Sequence, residues 1–520
     1  MKKYDKLVKN AAGRMVPTII NGENHIPFQG VGKYNPTGRR YGPKIPTCND
    51  FPDGNKEVST LKEALINAGI KDGMTISSHH HFRNGDLIAK QVFDIAHDLG
   101  IKNLRWFPSA SFPCQEELIK YLEDGTINRI EGSMNGPLGK FTSEGKMKGL
   151  SILRSHGGRY QAVQDGEVKI DIAIIAAPTA DTFGNANGVN GEAACGLLGF
   201  ALADSQYAEK VIVVTDNLVP FPCIPWQIQG NYVDFVVKVD KVGLPEKIIS
   251  GTTQITKSPD RLLIAEITAD FCEKTGLIYD GFSYQAGAGG TALSIGNYFG
   301  DILRKNNWKA RFIRAGSNQY PVELLEEGLV EYILDGQTFD LEGVRSMREN
   351  PNHVNTSPFT SYNFHSKGNF AQLVDIVVLG ATEIDVDFNA NVVTHSDGYL
   401  LHGIGGWQNC LAAKTTIMPI PLFRDRIPVI RDRVTTLCAP GELIDVIVTE
   451  RGIAINPLRK DLIQKARVSG IELKTIYQLK EEAEKICGVP EEVKLSDEIV
   501  SVIKWVDGTV IDSVKKVITE

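Results

Sequence analysis

The chain has 520 residues, of which 42% are apolar and 23% are charged, and its net charge is -7. At roughly 100–200 residues per domain, this length predicts two or three domains. The acidic balance argues against nucleic acid as the main partner, because phosphate backbones need a basic face, although a local arginine cluster can still hold a small anion.

The N-terminal stretch MKKYDKLVKNAAGR lacks the apolar core of a signal peptide, and no apolar run approaches ~20 residues. The eight cysteines are scattered without a CxxC pair, which favours buried reduced thiols over a disulfide framework or a zinc ribbon. We therefore expect a cytoplasmic protein with no membrane span and no metal site.

Regular patterning begins after residues 1–55, which are rich in Gly, Pro and Asn and which we interpret as an irregular arm. Short apolar strands then alternate with helices, and this pattern predicts an α/β fold with a mostly parallel sheet covered on both faces. The first predicted elements are a helix at 61–68, a strand at Thr75–Ser78, a helix at 86–99 and strands at 170–176 and Lys210–Thr215.

An internal repeat runs through the chain. The segment DIAIIAAPTAD at 171–181, followed by Asn-Ala-Asn at 185–187, returns 204 residues later as DIVVLGATEID at 375–385 with Asn-Ala-Asn at 389–391. Both segments are predicted as buried strands, and each copy also has a later helix, at 116–122 and at 322–330. Because the polar positions keep their offset, we predict two tandem copies of one domain, at 56–255 and 256–520. At the same offset His81 aligns with Gln285.

A glycine-rich loop lies between a predicted strand and a helix at 293–303. Its Gln285, Gly287, Gly289 and Gly290 precede the positive end of the helix, which suits a phosphate, a carboxylate or an oxyanion. The spacing is not that of a dinucleotide fingerprint, and a purely structural turn is about as consistent with it. A second cluster of Gly403, Gly405 and Gly406 is also expected at the carboxyl edge of the sheet.

Three further groups of polar residues are candidates for a site. His79, His80 and His81 stand beside Arg83, but adjacent residues on an extended chain alternate faces, so an anion-contacting or hydrogen-bonding loop is favoured over a metal site. Glu383 is either a catalytic carboxylate or a strand-end residue that binds backbone or an arginine. Arg314, Arg451 and Arg459 are candidates for binding substrate carboxylates.

Four segments together resemble the CoA-transferase superfamily. They are QAGAGG at 285–290, VDIVVLGATEIDVDFNAN at 374–391, GIGG at 403–406 and VIVTERGIA at 446–454. Two others, SHHHFRNGD at 78–86 and GNANGVNGEAACG at 184–196, are similar to one branch of it, the citrate lyase α subunits, and this resemblance covers roughly residues 10–515. It implies two tandem CoA-transferase-like domains of the NagB/RpiA-like type.

The resemblance also implies a reaction, in which an acetyl thioester on an acyl carrier protein and citrate give a citryl thioester and acetate. The implied partners are a β lyase subunit and a γ acyl carrier in an oligomer, with a CoA-derived prosthetic arm on the carrier and free acetyl-CoA as a surrogate donor. We expect one site per chain, built mainly on the second copy and closed by the first. The expected roles are catalytic for Gln285, Gly287, Gly289, Gly290 and Glu383, cofactor-binding for Gly403, Gly405, Gly406 and Asn391, and substrate-binding for His79, His81, Arg83, Arg314 and Asn187.

The sequence departs from the better-known CoA-transferases where they carry a glutamate nucleophile. Here that loop is RAGSNQY at 314–320 and has no carboxylate. This favours direct attack by the citrate carboxylate through a mixed anhydride, with Glu383 as a possible hidden nucleophile. The alternatives are a transferase for another acid, such as citramalate, that uses free acetyl-CoA, and, in another class, a sugar-phosphate isomerase or an effector-binding regulator.

Overall fold

A computed structural model describes residues 3–34, 54–249, 254–287 and 289–518. Within the predicted N-terminal arm, residues 1, 2 and 35–53 lie outside the described residues. The described part of this arm is not wholly irregular, because it contains four short strands that pair as two hairpins. These strands are β1 (Leu7–Lys9), β2 (Met15–Pro17), β3 (Ile19–Ile20) and β4 (Glu23–Asn24).

The first unit is built on a seven-stranded parallel sheet. The strands of the whole unit, including those of smaller sheets, are β5 (Glu57–Val58), β6 (Thr75–Ser78), β7 (Leu104–Pro108), β8 (Ile127–Ile130), β9 (Ser151–Leu153), β10 (Ile172–Ala177), β11 (Thr179–Asp181), β12 (Ala186–Asn187), β13 (Lys210–Thr215), β14 (Leu218–Val219) and β15 (Phe235–Lys238). Its helices are α1 (Leu61–Asn67), α2 (Ile88–Asp98), α3 (Ile119–Asp124), α4 (Pro137–Ser143), α5 (His156–Gln164) and α6 (Ala201–Tyr207). The large sheet has the order β5-β15-β13-β10-β6-β7-β8, with β10 buried along its whole length.

The second unit is built on an eight-stranded sheet of order β19-β18-β17-β16-β20-β23-β27-β28, in which only the last pair is antiparallel. Its strands are β16 (Ser283–Ala286), β17 (Ala310–Ser317), β18 (Val330–Thr338), β19 (His353–Asn355), β20 (Ile376–Val378), β21 (Glu383–Asp385), β22 (Ala390–Asn391), β23 (Thr415–Pro419), β24 (Phe423–Arg424), β25 (Ile427–Pro428), β26 (Ile430–Arg431), β27 (Val446–Thr449) and β28 (Gly452–Ile455). Its helices are α7 (Pro259–Lys274), α8 (Gly290–Asn306), α9 (Gln319–Glu326), α10 (Leu341–Glu349), α11 (Pro358–Tyr362), α12 (Trp407–Cys410), α13 (Lys460–Val468) and α14 (Ile476–Cys487). The α/β class and the two related units are thus confirmed.

The repeated aspartates make equivalent hydrogen bonds in the two units, which explains why the spacing between them is the same in both copies. Asp171 and Asp375 each precede the central strand of their sheet, and each accepts a 2.8 Å hydrogen bond from the backbone N–H that starts the neighbouring strand, at Thr75 and Ser283. The second repeated aspartate, Asp385, accepts a bond from the Asn389 side chain, as Asp181 does from Asn185. These residues therefore fasten equivalent turns in both units.

The alignment of His81 with Gln285 is wrong. In the first sheet Ser77 pairs with Ala173, and in the second Gln285 pairs with Val377. Because Ala173 and Val377 are 204 residues apart, Ser77 is the counterpart of Gln285. The connection from the first strand to the central strand is 96 residues in one unit and 92 in the other, so a constant offset fails upstream of the repeated segment.

Two other predicted elements differ from the structure. The helix predicted at 322–330 ends at Glu326, because Gly328 has a positive φ of 77° and Val330 already starts β18. The strand predicted at 375–385 is split into β20 and β21, which belong to different sheets. A turn at 379–382 therefore interrupts it, and this turn borders the candidate site described below.

The C-terminal strands return to the first unit. β29 (Leu495–Lys504) and β30 (Val510–Val517) form a hairpin, and β29 pairs in parallel with β9. One hydrophobic cluster also runs across both units, with Ile174 from the first and Val377 from the second. The boundaries proposed for the two copies stay a prediction. Within the described ranges, no helix is long and apolar enough to cross a membrane.

Candidate active site

A cavity of about 990 Å³ lies where the carboxyl edges of the two sheets face each other. The second unit contributes residues at or beyond the ends of β16, β17, β20 and β23. The first unit contributes residues that follow β6, β7 and β8 and the start of α5. From the predicted site, the lining residues are Arg83, Gln285, Gly287, Gly289, Gly290, Arg314, Gly403, Gly405 and Gly406.

Four side chains form a buried polar cluster in this cavity. Arg314 on β17 donates from Nη1 to Gln285 Oε1 at 2.6 Å and to the Tyr362 hydroxyl at 2.7 Å. Its guanidinium also lies over the Tyr362 ring, 4.1 Å from the centroid. Gln285 Nε2 in turn donates to Cys410 Sγ at 2.8 Å. Tyr362 and Cys410 were not among the predicted site residues.

The charge of Arg314 has no counterion in the described part of the chain. Arg314 is 1% exposed, and the side chains that it hydrogen-bonds among the described residues, Gln285 and Tyr362, are neutral. Burial raises the pKa of Tyr362 to about 12 and also raises the pKa of the Cys410 thiol, so neither supplies a negative charge near neutral pH. Because an unpaired buried cation is costly, this arrangement suits an anionic ligand.

Arg83 adds a second buried guanidinium to the lining. It lies over the rings of Phe112 and Phe339, with centroid distances of 4.7 and 5.4 Å. Burial lowers the pKa of Arg83 to about 10, so it stays protonated at neutral pH. The aromatic faces hold the guanidinium plane in one orientation.

The two glycine-rich loops require glycine for different geometric reasons. Gly289 has a φ of 145°, which side chains rarely adopt, and it directly precedes α8, whose first N–H groups have no partner within the helix. Gly403 approaches the first unit so closely that a Cβ atom there would lie 1.8 Å from Ser133 Oγ. The GIGG loop therefore forms both the cavity wall and the contact between the units.

The structure does not bring three of the predicted substrate-binding residues to the cavity. His79 Nε2 lies 2.8 Å from Asp204, which Arg159 also binds through two 2.6 Å hydrogen bonds. His81 contacts the carbonyl oxygen of Ala176, and burial lowers its pKa to about 3. Asn187 is fully buried, and its side-chain oxygen accepts bonds from the turn that follows it.

Four histidines that were not predicted as site residues line the cavity, namely His80, His156, His395 and His402, and the ring centroids of the first two are 5.5 Å apart. His80 Nδ1 is 2.7 Å from Ser109 Oγ, and burial followed by the charge of Arg159 lowers the pKa of His156 to about 3. Burial also holds the pKa of His80 well below its usual value, so the His80 and His156 rings are both neutral at physiological pH. Because successive side chains of an extended chain point to opposite faces, the sequence could have predicted that His80 faces away from His79 and His81. No sequence motif identifies His156.

Glu383 and Asn391 lie outside the lining of the cavity. Glu383 is fully buried, and its Oε2 accepts from Asn391 Nδ2 at 3.0 Å and from the Thr435 backbone N–H at 2.8 Å. The Thr435 hydroxyl donates to its Oε1. These contacts match the strand-end interpretation, while the roles assigned to both residues stay predictions. Neither Arg451 nor Arg459 is a lining residue.

Carboxylates contribute little to the lining. Among the described lining residues they are Asp397 and Asp425, and both are exposed. Within the described ranges, no group of three His, Cys, Asp or Glu side chains could hold a metal ion. The cavity thus offers cations, neutral hydrogen-bond donors and a helix start, which together suit an acid and an acyl group.

Comparison with known proteins gives the family. The family model for citrate lyase, alpha subunit (CitF), matches residues 54–517. The chain is 40% identical over 464 residues to the citrate lyase alpha chain of Escherichia coli K12, which covers 89% of this chain and 91% of that one. The chain belongs to the citrate lyase α-subunit family. The corresponding chain of Haemophilus influenzae is 39% identical over 477 residues, covering 91% and 95%.

Solved structures agree with this placement. A citrate lyase α subunit from Streptococcus mutans, in complex with citrate, has a TM-score of 0.92 at 39% identity and covers 98% of this chain and 100% of that one. A malonate decarboxylase α subunit from Acinetobacter baumannii shares the fold alone, with a TM-score of 0.61 at 17% identity over 84% of this chain and 91% of that one. Citrate lyase α subunits are the citrate CoA-transferase part of a multi-subunit enzyme, so the resemblance found in the sequence is confirmed.

Proposed function

We propose that the cavity exchanges the acyl group of a carrier-bound thioester, with citrate replacing acetate, and that the citrate carboxylate attacks the thioester directly. The observation that carries this proposal is the buried Arg314, which has neutral partners and no counterion in the described part of the chain. A covalent enzyme route would need a carboxylate at the acyl carbon. Among the described lining residues, the only carboxylates are exposed ones.

The proposed chemistry balances without a proton donor or acceptor. A carboxylate oxygen of citrate attacks the acetyl carbonyl carbon, the C–S bond breaks, and a thiolate leaves from a mixed anhydride. The thiolate then attacks the citryl carbonyl carbon, and acetate leaves with the former bridging oxygen. Because no net proton moves, neutral His80 and His156 need not act as bases, and positioning and electrostatic stabilisation supply the catalysis.

Roles for the lining residues follow from their charge and contacts. Arg314 binds the attacking carboxylate, and Gln285 and Tyr362 hold its guanidinium in place. Arg83 binds another carboxylate of citrate, with its plane set by Phe112 and Phe339. The N–H groups at the start of α8 stabilise the oxyanion formed at the carbonyl. The citrate bound to the Streptococcus mutans relative supports the choice of acid.

The donor and partners are part of this proposal. The donor arm is a CoA-derived prosthetic group on a γ acyl carrier, and a β lyase subunit cleaves the citryl thioester in the same cytoplasmic complex. A test of the whole proposal mixes the full chain with acetyl-CoA, as a surrogate donor, and citrate. Mass spectrometry should detect citryl-CoA and one equivalent of acetate, whereas exchange with citramalate but not with citrate would overturn the choice of acid.

A further inference from the structure

The two units differ in one connection beside the cavity. In the first unit, Ile212, on the strand next to the central one, and Leu218, in the small sheet, are six residues apart. The equivalent residues of the second unit, Ile417 and Ile430, are thirteen residues apart. The second unit thus carries seven extra residues at this point, which lies on its side of the cavity.

These extra residues form the hairpin of β24 and β25, which turns at Asp425 and Arg426 with φ values of 47° and 64°. Arg424, Asp425 and Ile427 of the hairpin line the cavity. The hairpin is therefore an addition to the repeated unit, and its side chains face the space that a ligand would occupy.

Arg424 fastens the hairpin to the turn that splits β20 from β21. It donates from Nη1 to the Thr382 carbonyl oxygen at 2.9 Å and from Nη2 to that of Ala381 at 2.7 Å. Burial, with Arg261 nearby, lowers the pKa of Arg424 to about 10, so it is charged at neutral pH. Its recorded contacts are to carbonyl oxygens, and within the described residues no carboxylate lies at ion-pair distance from it.

Arg261 stands close enough to Arg424 for their charges to interact, and it also lines the cavity. It lies in the first turn of α7, and no ion pair or hydrogen bond of its side chain is recorded among the described residues. The start of α8 is close by, because the backbone N–H of Thr256, just before α7, donates to the Gly290 carbonyl oxygen. Two cations and a helix start therefore meet at one end of the cavity.

This end is distinct from the one that holds Arg314. The charges that act on Arg424 are those of Arg261 and Glu383, whereas Arg314 acts on His156. Arg314 lies on β17, and Arg424 follows β23, three strands away in the sheet. At about 4.8 Å per strand, the two ends are separated by roughly 14 Å.

We infer that Arg424 and Arg261 form a phosphate subsite for the far end of the thioester donor. The inference rests on the proposed function, because it is the pantetheine arm of the proposed donor whose length matches the distance between the two ends of the cavity. Such an arm reaches roughly 15 Å when extended, so a thioester near Arg314 places its 4′-phosphate near Arg424. The guanidinium groups would bind phosphate oxygens by charge-assisted hydrogen bonds.

The test compares three donors that differ only beyond the pantetheine: acetylpantetheine, acetyl-4′-phosphopantetheine and acetyl-CoA. With the full chain, Arg424→Gln and Arg261→Gln should each raise the KM of the two phosphorylated donors roughly 10- to 100-fold. They should leave the KM of acetylpantetheine and of citrate unchanged. A loss seen only with acetyl-CoA would place the contact on the nucleotide phosphates and overturn the 4′-phosphate assignment.

Arg426→Gln is the matched control, because it removes the same charge from the exposed turn of the same hairpin and should change nothing. Arg261→Gln guards against misfolding, since it breaks no recorded bond. An equal rise in KM for all three donors would overturn the inference. Calorimetric titration of the chain with CoA and pantetheine keeps this test separate from the proposed function: CoA should bind more tightly even if no transfer occurs, and Arg424→Gln should abolish the difference.

Discussion

Arg314 and Gln285 share a 2.6 Å hydrogen bond on adjacent strands of the second sheet, and this bond joins a buried cation to a neutral amide. A carboxylate in place of the amide would neutralise the guanidinium. The amide orients the guanidinium and leaves its charge available to a ligand. The same bond links the sequence's glycine-loop motif to an arginine that was only one of three candidates.

Arg314→Gln should therefore reduce kcat/KM for citrate roughly 100-fold or more, because the buried anion-binding charge is lost. Arg314→Lys should recover only part of the activity, since an ammonium lacks the planar fork. Steady-state exchange of acetyl-CoA with citrate measures both. Arg311→Gln, an exposed charge on the same strand, is the control and should behave like the original chain. Equal losses in the two variants would refute the role of Arg314.

Gly403→Ala should weaken the contact between the units. Its Cβ would lie 1.8 Å from Ser133 Oγ, so the GIGG loop must move at a cost of about 1–3 kcal/mol. Thermal melting should show a lower Tm, and transfer should fall with it. Gly380→Ala is a matched control, because a Cβ there meets nothing within 4 Å. An unchanged Tm for Gly403→Ala would contradict the packing described for this loop.

Acid should destabilise the fold between pH 7 and pH 5 through its buried histidines. Burial lowers the folded-state pKa of His81 and of His156 to about 3, below the unfolded value of ~6.5. Between these pH values only the unfolded chain binds the extra protons, so stability falls as pH drops. Each histidine should contribute about 2 kcal/mol of loss between pH 7 and pH 5.

His81→Gln should consequently make the decline of Tm between pH 7 and pH 5 shallower, because it removes one of these groups. His395→Gln removes an exposed histidine and should leave the pH dependence as it was. Identical pH profiles for His81→Gln and the original chain would show that His81 does not titrate as described.

Glu383→Gln tests whether this carboxylate is chemical or structural. Its oxygens receive hydrogen bonds from Asn391 and Thr435, so the amide should cost about 1–3 kcal/mol of stability. We expect kcat within tenfold of the original value once folding is verified by circular dichroism. A fall beyond a thousandfold, with rescue by Glu383→Asp or capture of an adduct at this position by hydroxylamine, would instead make Glu383 the nucleophile.

The sequence predicted what depends on local spacing. The strands at Thr75–Ser78 and Lys210–Thr215 have the predicted bounds, and the repeated aspartates mark turns that exist in both units. Periodicity and turn chemistry act over a few residues, so they can be derived from one chain. The error at His81 came from extending one offset across a connection whose length differs between the units.

The contents of the cavity were harder to predict, because they come together from distant loops. Tyr362, Arg424 and His156 belong to no motif, and only the meeting of the two sheet edges brings them to the same cavity as Arg314. The glycine-rich loops at 285–290 and 403–406 can be recognised in the sequence, because tight turns and close backbone approach favour glycine. A single arginine in a hairpin has no comparable sequence pattern.

Direct attack by citrate and a covalent enzyme intermediate differ in where a carboxylate oxygen of citrate goes in one turnover. With enzyme in excess over acetyl-CoA and citrate labelled with oxygen-18 in its carboxylates, mass spectrometry of the acetate released gives the answer. We predict that this acetate carries one labelled oxygen, because it leaves with the bridging atom of the mixed anhydride. Unlabelled acetate in the first turnover, with the label instead on an enzyme carboxylate, would contradict direct transfer.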